Sequence, residues 1–402
     1  MVTVAEMRAA DAAALESVPQ SELVHRAGTA VAVAALELLG GAYGRRVVVV
    51  AGKGNNGNDG RVAADALARR GAVVEVIEAT EAPGRLPACD LVIDAAYGTG
   101  FAGSYDAPAV DDGTVVLAVD IPSGIHGDTG QGSGRPVRAT RTVSLAALKP
   151  GLLMGDGPAH CGEVTVSDIG VSLRSPSIGL VEHGDLARLP RRPRESHKWA
   201  SAVAVVGGSP GMDGAAWLCA RAAGRAGAGM VRLAVPGADV GSGGPWPAEA
   251  VRLSIAEKGW ADDVLEVLER CRALVVGPGL GRADATVDAV RTLVARSPVP
   301  VVADADALFA LGDAKEARPV VAGEGVDRAV VLTPHDGEYR RLVGDDPGPD
   351  RVAAARRLAE ATGAVALVKG SLTAVAAPSR PDEGPGVLLA AAGSPALATA
   401  GT

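Results

Sequence analysis

The stretch that decides the fold lies at residues 47–71 and reads VVVVAGKGNNGNDGRVAADALARRG. Four consecutive valines predict a strand buried on both faces, and the segment DGRVAADALARR predicts a helix that ends before Gly71. Between them, Gly52, Gly54 and Gly57 spell G-x-G-x-x-G, and Glu78 follows at about the distance expected of a ribose-binding acid. The pattern therefore predicts a strand–turn–helix unit of an α/β domain.

The same glycine-rich segment departs from an ordinary dinucleotide fingerprint. The positions after its second glycine are usually small or apolar, but here they are Asn55 and Asn56. Carboxamide and carboxylate oxygens suit a hard cation or a polar ring better than a phosphate. Lys53 also lies on the wrong side for a Walker loop, which needs G-K-[ST] at its end. Turn chemistry, with Asp59 capping the helix, is the alternative interpretation.

The rest of the first half repeats the alternation of apolar runs and helical stretches. We interpret AVVEVIE, CDLVIDAAYGTG, GTVVLAVDIPSG and TRTVSLAAL as strands buried on both faces, which predicts a mostly parallel, doubly wound, Rossmann-like sheet. Ligands in such sheets bind beyond the carboxyl ends of the strands. Polar side chains follow three of these strands, and we expect them to converge on one crevice: Asn55, Asn56, Asp59, Asp94, Asp120 and Ser123.

The chain is long enough for two domains, and its composition narrows their function. Its 402 residues are 48% hydrophobic and only 2% aromatic, with a net charge of −8, which argues against nucleic-acid partners. We find neither a signal peptide nor an apolar run that could span a membrane, and we expect a cytoplasmic homo-oligomer. The Ser-, Pro- and Arg-rich region before residue 198 predicts domains at 1–175 and 198–402, joined by a linker at 176–197.

Four segments of the first half occur in a fixed order: GKGNNGNDG, VIDAAYGTG, AVDIPSGIHGDTG and LAALKPGLLMGDG. This set resembles the successive motifs of the NAD(P)HX epimerase family, the YjeF N-terminal domain. The resemblance implies a Rossmann-like enzyme that interconverts the two epimers of hydrated NADH or NADPH with potassium in its site. Two departures are visible: the family's Gly-Gly-Asp is Gly57-Asn58-Asp59 here, and its LMENAG-like stretch is LVHRAG, which lacks the acid.

The resemblance also implies roles for individual residues. Asn56, Asp94 and Ser123 would hold potassium. Asp120 would act as the acid–base residue at the hydrated ring, and Lys149 is a second catalytic candidate. The residues that would line the substrate are Asn55, Asn56, Gly57, Asn58, Asp59, Gly98, Thr99, Gly100, Phe101, Ala102, Gly103, Ser104 and Asp120.

The second half carries glycine turns and polar residues after predicted strands, in GGSPGMDG, VVGPGLG, VVADADAL, TPHDGEYRRL and LVKGSLT. Glycine turns whose N–H groups face a ligand suit phosphate, whereas a lone histidine such as His335 is more often structural. In this order the motifs resemble the ADP- or ATP-dependent NAD(P)HX dehydratase family, whose fold is ribokinase-like. The resemblance implies phosphorylation of the ring hydroxyl and elimination of phosphate, with ADP as co-substrate and Mg²⁺ bound to it.

The second resemblance also places residues at two ligands. Ala215, Gly281 and His335 would touch the hydrated nucleotide. The adenine nucleotide would be held by Lys369, Gly370, Ser371, Leu372 and Thr373. The family continues past ATAGT with a Gly-Asp whose aspartate acts as base, and this sequence ends at Thr402, so we expect a C-terminally truncated domain.

Three functions are compatible with these patterns. The leading hypothesis is a bifunctional enzyme that epimerises and dehydrates hydrated NAD(P)H. A ribokinase-like small-molecule kinase with an accessory nucleotide-binding domain is the enzymatic alternative, and a non-catalytic nucleotide-binding protein is the other. NADHX against NADPHX, and ADP against ATP, stay open at this point.

Overall fold

The computed structural model describes residues 1–209, 211–238, 247–378 and 386–393, and the chain divides into two compact units, Met1–Gly179 and Leu180–Thr402. The first unit consists of helices α1 (Val4–Leu15), α2 (Gln20–Leu39), α3 (Asn55–Ala68) and α4 (Gly157–His160), a 3-10 helix (Pro150–Leu152), and strands β1 (Arg46–Ala51), β2 (Val73–Glu78), β3 (Leu91–Ala95), β4 (Tyr105–Asp106), β5 (Val115–Val119), β6 (Gly134–Arg135), β7 (Arg141–Leu145) and β8 (Glu163–Ser167).

Six strands of the first unit form one parallel sheet in the order β2-β1-β3-β5-β7-β8. The chain steps from β1 to β2 on one side and then crosses to β3 on the other. The order therefore reverses between β1 and β3, where open α/β sheets bind their ligands. The predicted doubly wound, mostly parallel α/β fold is confirmed.

The two faces of this sheet are covered differently. Helices α1, α2 and α3 bury one face, where Val31, Ala35 and Leu67 pack on Val49 and Ile93. The opposite face packs against residues of irregular segments and of the two-residue strand β4. That second cluster contains Val48, Val50, Leu86, Val92, Ala96, Tyr105, Ala107, Val116 and Val137.

The sequence-based assignment of elements was wrong in two respects in this unit. Strand β2 is not buried on both faces, because it is the edge strand, and Val73 and Val76 are exposed. The segment 55–58 is not a loop, because α3 begins at Asn55 rather than at Asp59. Helices α1 and α2 and strand β8 were not predicted.

A short strand, β9 (Ile178–Leu180), spans the boundary between the units, and the second unit begins at its last residue. It continues with 3-10 helices at His183–Arg188 and Lys198–Ser201, helices α5 (Asp213–Arg225), α6 (Ala261–Leu268), α7 (Asp284–Arg296), α8 (Asp306–Leu311), α9 (Ala314–Ala322), α10 (Asp336–Val343) and α11 (Arg351–Thr362), and strands β10 (Ala202–Val206), β11 (Met230–Ala234), β12 (Ala250–Leu253), β13 (Ala273–Val276), β14 (Val301–Ala303), β15 (Val330–Leu332), β16 (Val365–Val368), β17 (Thr373–Ala376) and β18 (Val387–Ala390).

The sheet of this unit runs in the order β12-β11-β10-β13-β14-β15-β16-β17-β18. Its strands are parallel from β12 to β16, and β17 and β18 continue it antiparallel. The strand order reverses between β10 and β13, which is a second switch point. The domain limits expected from the sequence stay a prediction. Within the described ranges, no helix is both long and apolar enough to cross a membrane.

Candidate functional site

The glycine-rich segment of the first unit forms a short turn followed at once by a helix. Only residues 52–54 separate β1 from α3, whose first residues are Asn55 and Asn56. A Cβ at Gly57 would lie 1.9 Å from the Gly52 carbonyl oxygen, and one at Gly60 would lie 2.5 Å from the Ala95 Cβ. Glycine at these positions therefore lets the first turns of α3 press against the ends of β1 and β3.

Asp59 does not cap this helix. It is the fifth residue of α3, and only 5% of its surface is exposed, so the interpretation of Asp59 as a helix cap is wrong. Burial, together with the nearby carboxylates of Asp120 and Asp11, raises the pKa of Asp59 to about 8. Its carboxyl is therefore protonated at neutral pH and can donate a hydrogen bond.

The acid expected to bind a ribose is already engaged. Glu78 at the end of β2 forms an ion pair with Arg61 of α3. The same guanidinium donates a hydrogen bond to the Gly52 carbonyl at 2.9 Å. Arg61 thus ties the fingerprint turn to the Glu78 carboxylate, and the arrangement differs from a free ribose-binding acid.

Asp120 follows β5 in a strained backbone conformation and faces a buried lysine. Its φ is +69°, a region that non-glycine residues seldom adopt and that is often found at functional sites. The Lys149 ammonium, which is 1% exposed, forms an ion pair with the Asp120 carboxylate and donates to the Leu145 carbonyl at 2.6 Å. The Leu145 N–H also donates to Asp120 at 3.1 Å. The structure thus brings together the two residues predicted to be catalytic.

A cavity of about 590 Å³ opens at the switch point between β1 and β3. The predicted residues that line it are Asn55, Asn56, Asp59, Gly98, Thr99, Gly100, Phe101, Ala102, Asp120 and Lys149. Six other predicted residues are outside this lining: Gly57, Asn58, Gly103, Ser104, Asp94 and Ser123. Gly57 lies beneath Gly52, and Asn58 is exposed.

The predicted potassium ligands lie around the segment 97–98. Ser123 Oγ donates to Asp94 Oδ1 at 2.6 Å, and the Ser123 N–H donates to Asp94 Oδ2 at 2.8 Å. Ser123 Oγ also accepts from the Tyr97 N–H at 2.9 Å, while the Asn56 amide packs against Gly98. Burial raises the pKa of Asp94 to about 6, and the hydrogen bonds from Ser123 oppose that rise.

The chemistry of this donor set fits a hard monovalent cation. It supplies carboxylate, hydroxyl and amide oxygens, which are the ligands that such a cation prefers. The Asn56 Nδ2 is a buried donor with no hydrogen-bond partner among the described residues. Among the residues that the structure describes, no group of three or more His, Cys, Asp or Glu side chains is placed to hold a metal ion.

Helix α1 contributes cavity residues that the sequence analysis missed. Met7, Arg8 and Asp11 share the face of α1 that lines the cavity, and Gln20 of α2 donates to Asn55 Oδ1 at 2.8 Å. Burial and the Asp120 carboxylate raise the pKa of Asp11, which the Lys149 charge opposes. The available signal was Asp11, a carboxylate that lies on the same helix face as Met7 and Arg8, four and three residues before it.

In the second unit, the glycine turns after β10 and β13 meet at the other switch point. The Gly208 N–H donates to the Pro278 carbonyl at 2.8 Å, and Ser209 Oγ donates to the Gly279 carbonyl at 2.8 Å. A Cβ at Gly279, whose φ is +73°, would lie 3.5 Å from the Ala215 Cβ. The first turn of α5, which carries the predicted residue Ala215, is therefore adjacent to the turn that leads to Gly281.

Charged residues follow the neighbouring strands of this sheet. Asp306 accepts hydrogen bonds from the Gly281 N–H and from Arg282, both at 2.9 Å. Lys369, at the end of β16, donates to Asp304 at 2.8 Å. The other residues predicted to hold the nucleotide lie in the turn between β16 and β17 or at its end: Gly370, Ser371, Leu372 and Thr373. Leu372 is buried, so its side chain belongs to the core.

His335 has a structural role in its helix. It is the N-cap of α10, and its Nδ1 accepts from the backbone N–H groups of Gly337 and Glu338 at 3.0 and 3.3 Å. The Glu338 carboxylate accepts in return from the His335 N–H at 2.9 Å, which completes a capping box. The His335 Nε2 lies 3.5 Å from the Glu338 carboxylate. The predicted contact of His335 with a nucleotide stays a prediction.

The fold and the two sites define the class of protein. Each unit is a mainly parallel α/β sheet with ionisable groups beyond the carboxyl ends of its strands, and each has these groups at a switch point, as in nucleotide-handling enzymes.

Comparisons with known proteins give the family. Residues 203–402 match the family described as NAD(P)H-hydrate dehydratase, and residues 20–88 and 78–151 match the one described as YjeF-related protein N-terminus. The chain belongs to the family of bifunctional NAD(P)H-hydrate repair enzymes. The enzyme Nnr of that name from Moorella thermoacetica is 35% identical over 463 residues, covering 100% of this chain and 85% of the relative. Its namesake from Mycobacterium tuberculosis H37Rv is 37% identical over 428 residues, covering 98% and 85%. The family predicted from the motifs is confirmed.

A solved structure is also similar to part of the chain. The ADP/ATP-dependent NAD(P)H-hydrate dehydratase from Bacillus subtilis, co-crystallised with ATP and Mg²⁺, is 28% identical, covers 53% of this chain and 72% of its own, and has a TM-score of 0.42.

Proposed function

We propose that this chain repairs hydrated NAD(P)H, with an epimerase in the first unit and a nucleotide-dependent dehydratase in the second. The observation that carries the proposal is the single cavity in which Asp120, paired with Lys149, meets Asn55, Asn56 and Asp59. The relatives named as bifunctional repair enzymes support it, because this chain covers 85% of their length.

The first unit performs the proton chemistry of epimerisation. The ring C–N bond at the hydroxyl-bearing carbon breaks as the hydroxyl gives up its proton, which leaves an aldehyde and puts the electron pair on the ring nitrogen. Closure on the opposite face re-forms the C–N bond and returns the proton, so the reaction requires a group that takes and returns the hydroxyl proton. The Asp120 carboxylate is that group, and its ion pair with Lys149 fixes its orientation. The protonated Asp59 carboxyl donates a hydrogen bond within the same cavity.

Potassium is the cofactor that we assign to the first unit, held by Asn56, Asp94 and Ser123. When bound, the ion supplies a fixed positive charge at the ends of β3 and β5. Ligand linkage then predicts that the chain melts at a higher temperature in potassium chloride than in choline chloride of equal ionic strength. Ser123→Ala should shrink that difference, whereas a difference unchanged by Ser123→Ala would remove Ser123 from the site.

The second unit binds ADP with Mg²⁺ and one epimer of the hydrated nucleotide. The glycine turns after β10 and β13 meet at this switch point, and Lys369 supplies a positive charge at the end of β16. Positioning and charge stabilisation dominate phosphoryl transfer, which suits a site assembled from the ends of five strands. Assembly as a homo-oligomer and a cytoplasmic location remain predictions.

One experiment tests the epimerase directly. A single purified epimer of hydrated NADH is incubated with the protein and potassium, and the second epimer is separated by chromatography. We expect exchange well above the rate in buffer, and a loss of about 10²-fold or more in Asp120→Asn. Asp112→Asn, an exposed acid in a loop, is the matched control and should keep the wild-type rate. Exchange no faster than in buffer would refute the proposal.

A further inference from the structure

The first unit has a second cavity, which shares only Asp94 with the residues assigned to epimerisation. Its volume is about 550 Å³, and it lies on the face of the sheet opposite to α1, α2 and α3. Its walls are mostly apolar side chains of strands and loops, including Val50, Val92, Val116, Leu86, Pro108 and Val137. Small-molecule sites are typically apolar cavities of about this size with a few placed polar groups.

The ionisable residues that line this cavity are mostly basic. Arg135, Arg138 and His160 are its basic residues, and Asp94 is the single acid among the residues that line it. Arg138 is exposed and has no ion-pair or hydrogen-bond partner among the described residues, whereas both Asp94 oxygens already accept from Ser123. A ligand with an apolar body and one anionic group would therefore complement the basic residues at little further desolvation of Asp94.

The two cavities of the first unit are physically connected. Asp94 lines the second cavity, and its partner Ser123 is bonded to the backbone of Tyr97, which lines the first. Three aromatic rings form a second connection. The ring centroid of Tyr97 lies 5.2 Å from that of Phe101, which lines the first cavity, and 5.2 Å from that of Tyr105, which lines the second. Two of the chain's four tyrosines and one of its two phenylalanines are used here.

We propose that the second cavity is a binding site for a small amphiphilic anion, with its anionic group at Arg138 and His160, and that its occupancy alters epimerisation in the first cavity. The ligand is an apolar, flat or branched body that carries one carboxylate, sulfonate or phosphate. Its apolar part replaces the helix that commonly covers this face of a doubly wound sheet. A ligand in the second cavity would touch Asp94 and Tyr105 directly. The coupling passes from Asp94 through Ser123 to the Tyr97 backbone, and from the Tyr105 ring through Tyr97 to Phe101.

The probe for the binding site is 8-anilinonaphthalene-1-sulfonate, an aromatic body with one sulfonate, whose fluorescence rises in apolar cavities. We expect one saturable binding component in the full chain that Ala109→Trp, at the half-buried edge of the second cavity, abolishes. Arg138→Ala should weaken this component about fivefold. The matched controls lie in the first cavity: Ala102→Trp and Arg8→Ala should leave the component unchanged.

The outcomes separate the second site from the proposed function. Dye binding that survives both Ala109→Trp and Arg138→Ala in folded protein, as judged by circular dichroism, would overturn the site, and this assay needs no turnover. For the coupling, saturating dye should change the rate of epimer exchange in the wild type and not in Ala109→Trp. An unchanged wild-type rate would overturn the coupling, whereas an absence of exchange without dye would count against the epimerase instead.

Discussion

At the scale of single residues, the first unit concentrates charge where the chain is least exposed. Asp59, Asp94, Asp120 and Lys149 are all buried, and only the last two form an ion pair with each other. Burying unpaired ionisable groups lowers the stability of the fold, and such groups cluster at functional sites. Two consequences can be measured.

The Asp120–Lys149 pair should behave as a unit in a double-mutant cycle. Removing one partner leaves a buried charge uncompensated, so Asp120→Asn and Lys149→Met should each lower the free energy of unfolding by on the order of 3 kcal/mol. The double variant should be more stable than the sum of the two losses predicts, because no charge is left unpaired. Chemical denaturation followed by circular dichroism measures all four proteins. Strictly additive losses would mean that the two side chains do not interact.

Asp59 should make the folded protein less stable as the pH rises. Its pKa is raised from 3.8 to about 8, so between these values the folded chain holds a proton that the unfolded chain has released. Folding then takes up a proton, and stability is lost progressively from about pH 4 to pH 8. Asp59→Asn removes this loss. The free energy of unfolding of the variant, relative to that of the wild type, should therefore increase from pH 5 to pH 8 and then level off.

The measurement needs a probe of the first unit. All four tryptophans lie beyond residue 180, so tryptophan fluorescence does not follow the unfolding of the first unit. Hydrogen exchange of peptides from residues 1–179 follows it, and circular dichroism follows the whole chain. Asp112→Asn is the control, because this acid is exposed. An equal advantage of Asp59→Asn at pH 5 and pH 8 would contradict the raised pKa.

At the scale of elements, the junction of β1 and α3 depends on the absence of side chains. Gly57→Ala would place a Cβ 1.9 Å from the Gly52 carbonyl oxygen, and backbone cannot yield as a flexible side chain can. Alanine favours a helix by about 1 kcal/mol over glycine, but the clash should outweigh this and displace the start of α3. We expect a lower melting temperature and a loss of epimer exchange.

Gly54→Ala is the matched control for this element. Gly54 is the N-cap of α3, and a Cβ there would meet no atom within 4 Å. The variant should keep its melting temperature within a few degrees. If Gly57→Ala were tolerated as well as Gly54→Ala, close approach would not be the reason for the glycine.

Elements with strong contrast between apolar and polar residues were predictable from the sequence, and those without it were not. The valine run of β1, the strand that contains Asp94 and the strand that precedes Asp120 were assigned correctly. Helices α1 and α2 were missed because alanine fills both their faces and leaves little periodicity. The residues they bring to the cavity, Arg8 and Asp11, were missed with them.

At the scale of the whole molecule, the sequence predicted which strand ends carry polar groups but not which face each side chain takes. Asp94 lies within β3 and Asp120 directly follows the neighbouring strand β5, yet Asp120 lines the first cavity and Asp94 the second. Alternation along a strand decides this, and a shift of one residue reverses it. The order of strands, which creates the two switch points, depends on contacts far apart in the sequence and was accessible only through the family resemblance.

Two switch points in two compact units predict that the two activities can be removed separately. Asp120→Asn should abolish epimer exchange and leave the binding of ADP with Mg²⁺ unchanged, because its contacts lie within the first unit. Lys369→Ala should weaken ADP binding about tenfold, since it removes a charge at the end of β16, and should leave epimer exchange at the wild-type rate. Lys315→Ala, an exposed lysine of α9, is the matched control for charge. Titration calorimetry measures the first property and chromatography of the epimers the second. If either variant lowered both ADP binding and epimer exchange, the two sites would not be independent.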